Sequence, residues 1–222
     1  MSTDGVSAAL RRYLEAIYYL EAEGEKPRLT RIAEWLGVSL PTVSTAIGRL
    51  VEAGLLRRTP SRTVAFTAAG RKRGARIVRT HRIVERWLTD ELGLDWLEAD
   101  AEAGRLEHAV SEQVAERLFE RMGRPTTCPH GNPIPGAAAA PAAERPLGGL
   151  TPGERSRVRR VSEVTEHEAP MLLRFLADHG FGLGVPVRVV STDAGAGALT
   201  VEVGGTRRVA MSLDMAQRVW VD

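Results

Sequence analysis

The chain has 222 residues, 43% of them hydrophobic and 26% charged, enough apolar material for two or three small packed domains and not the composition of a disordered chain. Its net charge of +2 hides an uneven split, with 16 Lys/Arg against 9 Asp/Glu in residues 1–90 and 14 against 19 in residues 91–222; a basic front on an acidic body suits a polyanion-binding module joined to an oligomerisation or effector part. No apolar run is long enough to span a bilayer, the first residues lack a signal-peptide pattern, and a single cysteine, Cys128, cannot staple the fold, so a cytoplasmic protein with no membrane partner is expected.

In chain order, residues 6–23 place Leu10, Tyr13, Leu14, Ile17, Tyr18 and Leu20 at helical spacing, with Gly24 and Pro27 ending the helix. A second helix carries Leu29, Ile32, Ala33 and Leu36 and stops at Gly37. A third follows Val38, with Ser39 as N-cap, Pro41 in the first turn and Gly54 at its close. Residues 55–59 and 63–67 then pair as a small hairpin across Pro60-Ser61-Arg62. Two helices joined at Gly37-Val38 and followed by that hairpin spell a winged helix-turn-helix.

A major groove about 12 Å wide admits one helix, whose N-terminal side chains reach base edges. The expected readers of double-stranded DNA are therefore Ser39, Pro41, Thr42, Ser44 and Thr45, with Arg49 further along on phosphate or base. At the wing, Arg62 is placed for the backbone or minor groove, supported by Arg57 and Arg58. Winged helices also mediate protein contacts, but a basic, hydroxyl-rich face favours DNA.

Residues 68–92 read as a long amphipathic helix, and two more are expected at 96–109 and 111–123, the last capped by Ser111. CPHGNPIPG is a stiff, turn-rich segment, and GAAAAPAAERPLGG is a linker by composition. Beyond 155, β-type runs at 158–164, 185–191, 199–203, 207–211 and 218–221 surround one helix containing Met171, Leu172, Phe175 and Leu176, the pattern of a small β-barrel.

Spacing also supports metal ligation. His81 and Glu85 lie four apart on one helix; Gly104 and His108 do so on another, with Glu107 beside His108. Residues at that spacing share a face, so two such helices can converge imidazole and carboxylate donors on one ion. Cys128-Pro129-His130 adds a thiolate and an imidazole. An isolated helix histidine is more often structural, but three of the five histidines and the only cysteine fall in these segments. No HExxH pattern, nucleophile elbow or phosphate loop is present, so neither an enzyme nor a small-molecule substrate is expected.

The runs TRIAEWLGVSLPTVSTAIGRLVEAGLL, HRIVERWLTDELGL, RLEHAVSEQVAERL and CPHGNPIPG resemble the diphtheria-toxin-repressor family of metal-dependent regulators, iron- and manganese-responsive members included. The likeness covers nearly the whole chain. It implies a mostly α protein: a winged helix-turn-helix DNA-binding domain at 1–75, a helical metal-binding and dimerisation domain at 76–135, a linker at 136–154 and an SH3-like (FeoA-like) barrel at 155–222. It implies a homodimeric repressor of manganese or iron homeostasis genes that binds a pseudo-palindromic operator, loaded with a divalent transition metal: Mn²⁺ or Fe²⁺ first, with Zn²⁺, Co²⁺ or Ni²⁺ as further options.

Carried over by position, the resemblance implies two metal sites. One uses Glu15, His81, Glu107 and His108; the other uses Glu85, Cys128, His130 and Glu168, His81 being open to either, and Asp100 falls where some members place a histidine ligand. The chain departs from the pattern at Arg12, where relatives carry Met or Asp, and at Gly104, where they carry Cys or Glu. A guanidinium repels a cation, so the alternative expectation is a metal-independent winged-helix regulator in which Arg12 pairs with Glu107 and replaces the first-site metal.

Overall fold

The computed structural model describes residues 7–138, 143–162 and 170–222. Helix α1 (Ala8–Ala22) starts at Ser7, whose side chain accepts from Leu10 N, and buries Tyr13, Leu14, Ile17 and Leu20 along one stripe. Helix α2 (Leu29–Leu36) stops at Gly37, left-handed at φ 62°. Helix α3 (Leu40–Glu52) is capped by Ser39 and turns Val43, Ile47 and Leu50 inward. Strands β1 (Leu56–Arg58) and β2 (Val64–Phe66) pair antiparallel, Leu56 opposite Phe66, to make the wing. One core joins these elements, and Ile77 and Val78 at the middle of α4 (Ala68–Leu92) belong to it.

The far half of α4 leaves that core. Val84 and Leu88 pack on Ala99 and Ala103 of α5 (Trp96–Leu106), and Ile83 packs with Ala115 and Phe119 of α6 (Glu112–Arg121). One rigid rod thus runs from the reading module into the helical body. Helices α5 and α6 end before the expected 109 and 123: Glu107 closes α5, and Met122 closes α6.

The C-terminal unit is a six-stranded antiparallel sheet in the order β3-β8-β4-β5-β6-β7, made of β3 (Arg145–Pro146), β4 (Arg155–Val161), β5 (Pro186–Asp193), β6 (Ala198–Val203), β7 (Arg207–Ser212) and β8 (Val219–Val221). Leu199, Val201 and Val203 alternate into its core, where Leu172, Leu173 and Leu176 of α7 (Pro170–Asp178) meet them. A short helix, α8 (Leu213–Gln217), was not expected from the sequence.

The expected linker needs correction at its end. Arg145 and Pro146 pair with Val221 and Trp220, and Leu147 and Leu150 are buried in the sheet's core, so those residues belong to the C-terminal unit. Trp96 and Leu97 of α5 pack against the same core, fastening it to the helical body. Among the described residues no helix is long and apolar enough to cross a membrane.

Candidate metal centre and nucleic-acid interface

Among the described residues, three groups of donors lie close enough to share ions. In the first, ligand atoms of Glu85, Cys128 and His130 all fall within 4.8 Å of one another, and all three residues are buried. The i, i+4 face of α4 supplies Glu85. The other two come from a tight turn in which Cys128 N donates to Asn132 O (2.9 Å) and Gly131 N to Cys128 O (3.0 Å). Nδ1 of His130 stands 2.6 Å from Oε1 of Glu85, yet that buried carboxylate oxygen makes no hydrogen bond. The edge of Trp96 closes one side of the imidazole, ring centroids 5.1 Å apart. Burying a carboxylate with an imidazole and a thiol is costly unless a cation compensates. A thiolate, an imidazole and a carboxylate together suit a borderline transition ion, so these residues fit a divalent metal.

The second group is Glu15, His81 and Glu107, and the third is His81, Glu85 and Asp100. His81 Nδ1 lies 2.9 Å from Glu107 Oε2 and 4.0 Å from Glu15 Oε1, while its Nε2 lies 3.4 Å from Asp100 Oδ1. Tyr19 Oη donates to Glu15 Oε1 at 3.1 Å and orients it. Burial alone pushes the His81 imidazole pKa down, but hydrogen bonds to Asp100 and Glu107 and the charges of Glu107 and Glu15 outweigh it and hold the pKa well above its ordinary value. A proton on His81 thus occupies the centre of an anionic cluster where a cation fits. Because His81 and Glu85 each belong to two groups, the donors form one continuous run along α4.

A cavity of ≈ 250 Å³ opens beside this cluster, lined by Arg12, Glu15, Gly104, Glu107 and His108 among others. A side chain at Gly104 would meet nothing within 4 Å. His108 lines the cavity but is exposed; its Nδ1 is 3.4 Å from Glu107 Oε1, and it joins none of the three-donor groups. Arg12 is exposed and, among the described residues, forms no ion pair with Glu107, which corrects the expectation that it replaces a metal. Glu168 lies outside the described residues.

Four further residues, Gly131, Asn132, Arg160 and Val161, which pattern alone did not single out, clamp the barrel onto this centre. Val161 N donates to His130 O (2.9 Å), and Asn132 Nδ2 donates back to Val161 O (3.0 Å). Gly131, at φ 91°, permits the approach: a Cβ there would lie 2.1 Å from Arg159 O. Arg160, stacked 4.4 Å over Trp220, reaches Glu144 at 2.7 Å and Glu23 at 2.6 Å. The unusual Gly-Asn-Pro run in the turn is the one signal that pointed here.

On the reading module, Ser39, Pro41, Thr42, Ser44, Thr45 and Arg49 are exposed along α3. Ser39 Oγ accepts from Thr42 N and lies 2.8 Å from Thr42 Oγ1; Thr45 Oγ1 donates to Pro41 O at 3.0 Å. Arg57, Arg58 and Arg62 are exposed on the wing, with Arg62 at φ 58°. Hydroxyls of Thr59, Ser61 and Thr63 lie 2.7–3.3 Å apart and stiffen the wing tip.

Family models match in three adjacent stretches: the iron-dependent repressor N-terminal DNA-binding domain at residues 6–64, the iron-dependent repressor metal-binding and dimerisation domain at 67–136, and the FeoA domain at 145–222. The iron-dependent repressor IdeR of Mycobacterium leprae is 39% identical over 222 residues, covering 95% of each chain. The structure of a manganese-dependent transcriptional repressor in complex with manganese superposes with a TM-score of 0.84 at 33% identity, covering 96% of this chain and 98% of that one. ScaR with bound Zn²⁺ gives 0.79 at 27% identity, covering 96% and 98%.

Proposed function

The chain belongs to the iron-dependent repressor family of metal-dependent transcriptional regulators, and from that membership we propose that it represses manganese or iron homeostasis genes in the cytoplasm. It does so as a homodimer on a pseudo-palindromic operator, with Mn²⁺ or Fe²⁺ as the activating ion and Zn²⁺, Co²⁺ or Ni²⁺ as substitutes. It is a regulator and not an enzyme.

The observation that carries this reading is the origin of the donors. Glu15 sits on α1 of the reading module, His81 and Glu85 on α4, Asp100 and Glu107 on and at the end of α5, and Cys128 and His130 on the turn beyond α6. We assign Glu85, Cys128 and His130 to one site, and Glu15, His81 and Glu107 to a second, with Asp100 between them and His108 beside Glu107. The bound ion supplies positive charge and fixed coordination directions. Glu15 and Glu107, drawn to a shared centre with His81, hold α1 against α4 and α5 and so set the reading module on the helical body. Leu92, Leu106 and Val114, on α4, α5 and α6, are exposed apolar side chains of the helical body, the kind of surface that a two-fold partner covers. Two α3 helices then stand at the separation of half-sites one DNA turn apart, roughly 34 Å, where a small error in spacing is costly.

In this reading residues 1–75 read DNA, 76–135 hold metal and dimerise, and 145–222 brace the metal turn. The experiment is fluorescence anisotropy of duplexes selected from a random library, with the protein in chelator and then in added Mn²⁺ or Fe²⁺. Tight binding restored by metal supports the proposal; equal affinity in chelator overturns it.

A further inference from the structure

Among the described residues of the reading module, one large hydrophobic side chain is left exposed by the packing. Leu40, the first residue of α3, is 46% exposed, and it stands outside the core cluster that absorbs Val38, Val43 and Ile47 on either side. Among the described residues the other exposed large hydrophobics lie on α4, α5, α6 and α7, away from the DNA-reading face.

Leu40 borders a cavity of ≈ 710 Å³ between the start of α3 and the wing. Leu29 joins it on the apolar side, and Arg28, Arg58 and Arg62 line the same space. Those three arginines are exposed and make no ion pair among the described residues. An apolar floor beneath unneutralised guanidinium groups matches a nucleic-acid strand, with phosphates toward the arginines and a base edge toward the leucine. An apolar protein partner would leave three positive charges desolvated.

We infer that Leu40 is a specificity-determining residue that reads the C5-methyl of a thymine, once per half-site. The inference rests on the proposed DNA-reading function. Residues at the N-terminus of a recognition helix are the ones that meet base edges in the major groove. A leucine carries no donor or acceptor, so it cannot read guanine, cytosine or adenine by hydrogen bonding; thymine alone presents a methyl group there. Leu40 therefore imposes a thymine at one position where the hydroxyls of Ser39 and Thr42 would accept several bases.

The test is atomic. Metal-loaded protein selects duplexes from a random library, and each thymine of a selected site is then replaced singly by deoxyuridine, which removes only the methyl. Wild type should lose about fourfold in affinity at one position per half-site, the value of one buried methyl group. Leu40→Ala should bind thymine and uracil duplexes equally at that position, and Leu40→Met should keep the preference. Because the side chain is exposed and outside the core, the melting temperature of Leu40→Ala should match wild type. Wild type indifferent to uracil at every position, or uracil sensitivity that persists in Leu40→Ala, overturns the assignment while leaving DNA binding intact. Failure of the loaded wild type to select any duplex overturns the proposed function, and this assignment with it.

Discussion

Nη1 of Arg160 lies 2.6 Å from Oε1 of Glu23, an ion pair that ties strand β4 of the C-terminal barrel to the end of α1, 137 residues earlier. Both side chains are largely buried, and the same guanidinium reaches Glu144 and stacks on Trp220. The barrel is thereby braced against the reading module as well as against the turn that carries Cys128 and His130.

Replacing Arg160 should release the barrel. Removing one partner of a buried pair leaves the other charge uncompensated, at roughly 3–5 kcal/mol when burial is complete and less at this partly open site. Arg160→Met should lower the melting temperature and raise hydrogen exchange at the Val161 amide, which bonds His130 O. Arg160→Lys should rescue only part, because it loses the planar stack on Trp220. Unchanged exchange at Val161 in Arg160→Met would show that docking does not depend on this pair.

Gly131→Ala should act on the same contact from the other side. Its Cβ would stand 2.1 Å from a backbone oxygen of the barrel, at a φ that costs a non-glycine residue about 1–3 kcal/mol. The expected outcome is a lower melting temperature together with weaker metal binding, since the turn must shift to admit the methyl group. Calorimetric titration with Mn²⁺ checks the second half, and wild-type affinity would separate the turn from the metal.

Cys128→Ser should weaken the site of Glu85, Cys128 and His130 by at least the 10–100-fold that loss of an orienting partner costs a metal site. Co²⁺ gives a specific reading: the thiolate-to-metal absorption of wild type should vanish in Cys128→Ser and persist in Glu15→Gln, whose donor belongs to the other group. Retention of the band in Cys128→Ser would exclude the cysteine as a ligand.

His81 makes the stability of the metal-free protein pH-dependent. Its folded pKa is raised, so the charged imidazole stabilises the fold fully below its unfolded value of about 6.5. That contribution is lost as pH rises through the folded value. Melting temperatures of metal-free wild type should therefore fall over that interval, and those of His81→Gln should not. An ion requires the neutral imidazole, so metal affinity should climb over the same interval. A flat profile in wild type would mean that His81 is uncharged in the metal-free fold.

The sequence displayed the reading module almost residue for residue, because Ser39, Gly37 and the apolar stripe of α3 are local signals. It displayed His81 and Glu85 as a pair for the same reason. It did not display β3, since a two-residue strand containing Pro146 has no alternation and its partner Trp220 lies far along the chain. Arg160 was equally hidden, for an arginine within a β-run gives no hint that Glu23 is waiting across the fold. The merging of the donors into one run through His81 and Glu85 is likewise tertiary: Asp100 reaches His81 only because α5 packs on α4.

Thermodynamic reciprocity offers the most direct measurement. If donors shared between α1, α4 and α5 fix the spacing of two reading helices, operator DNA must tighten metal binding by the same factor by which metal tightens operator binding. Mn²⁺ or Fe²⁺ is titrated into the dimer alone and into the dimer saturated with operator. The account predicts a higher metal affinity in the complex, with the gain abolished in His81→Gln. Equal metal affinity with and without operator would contradict it.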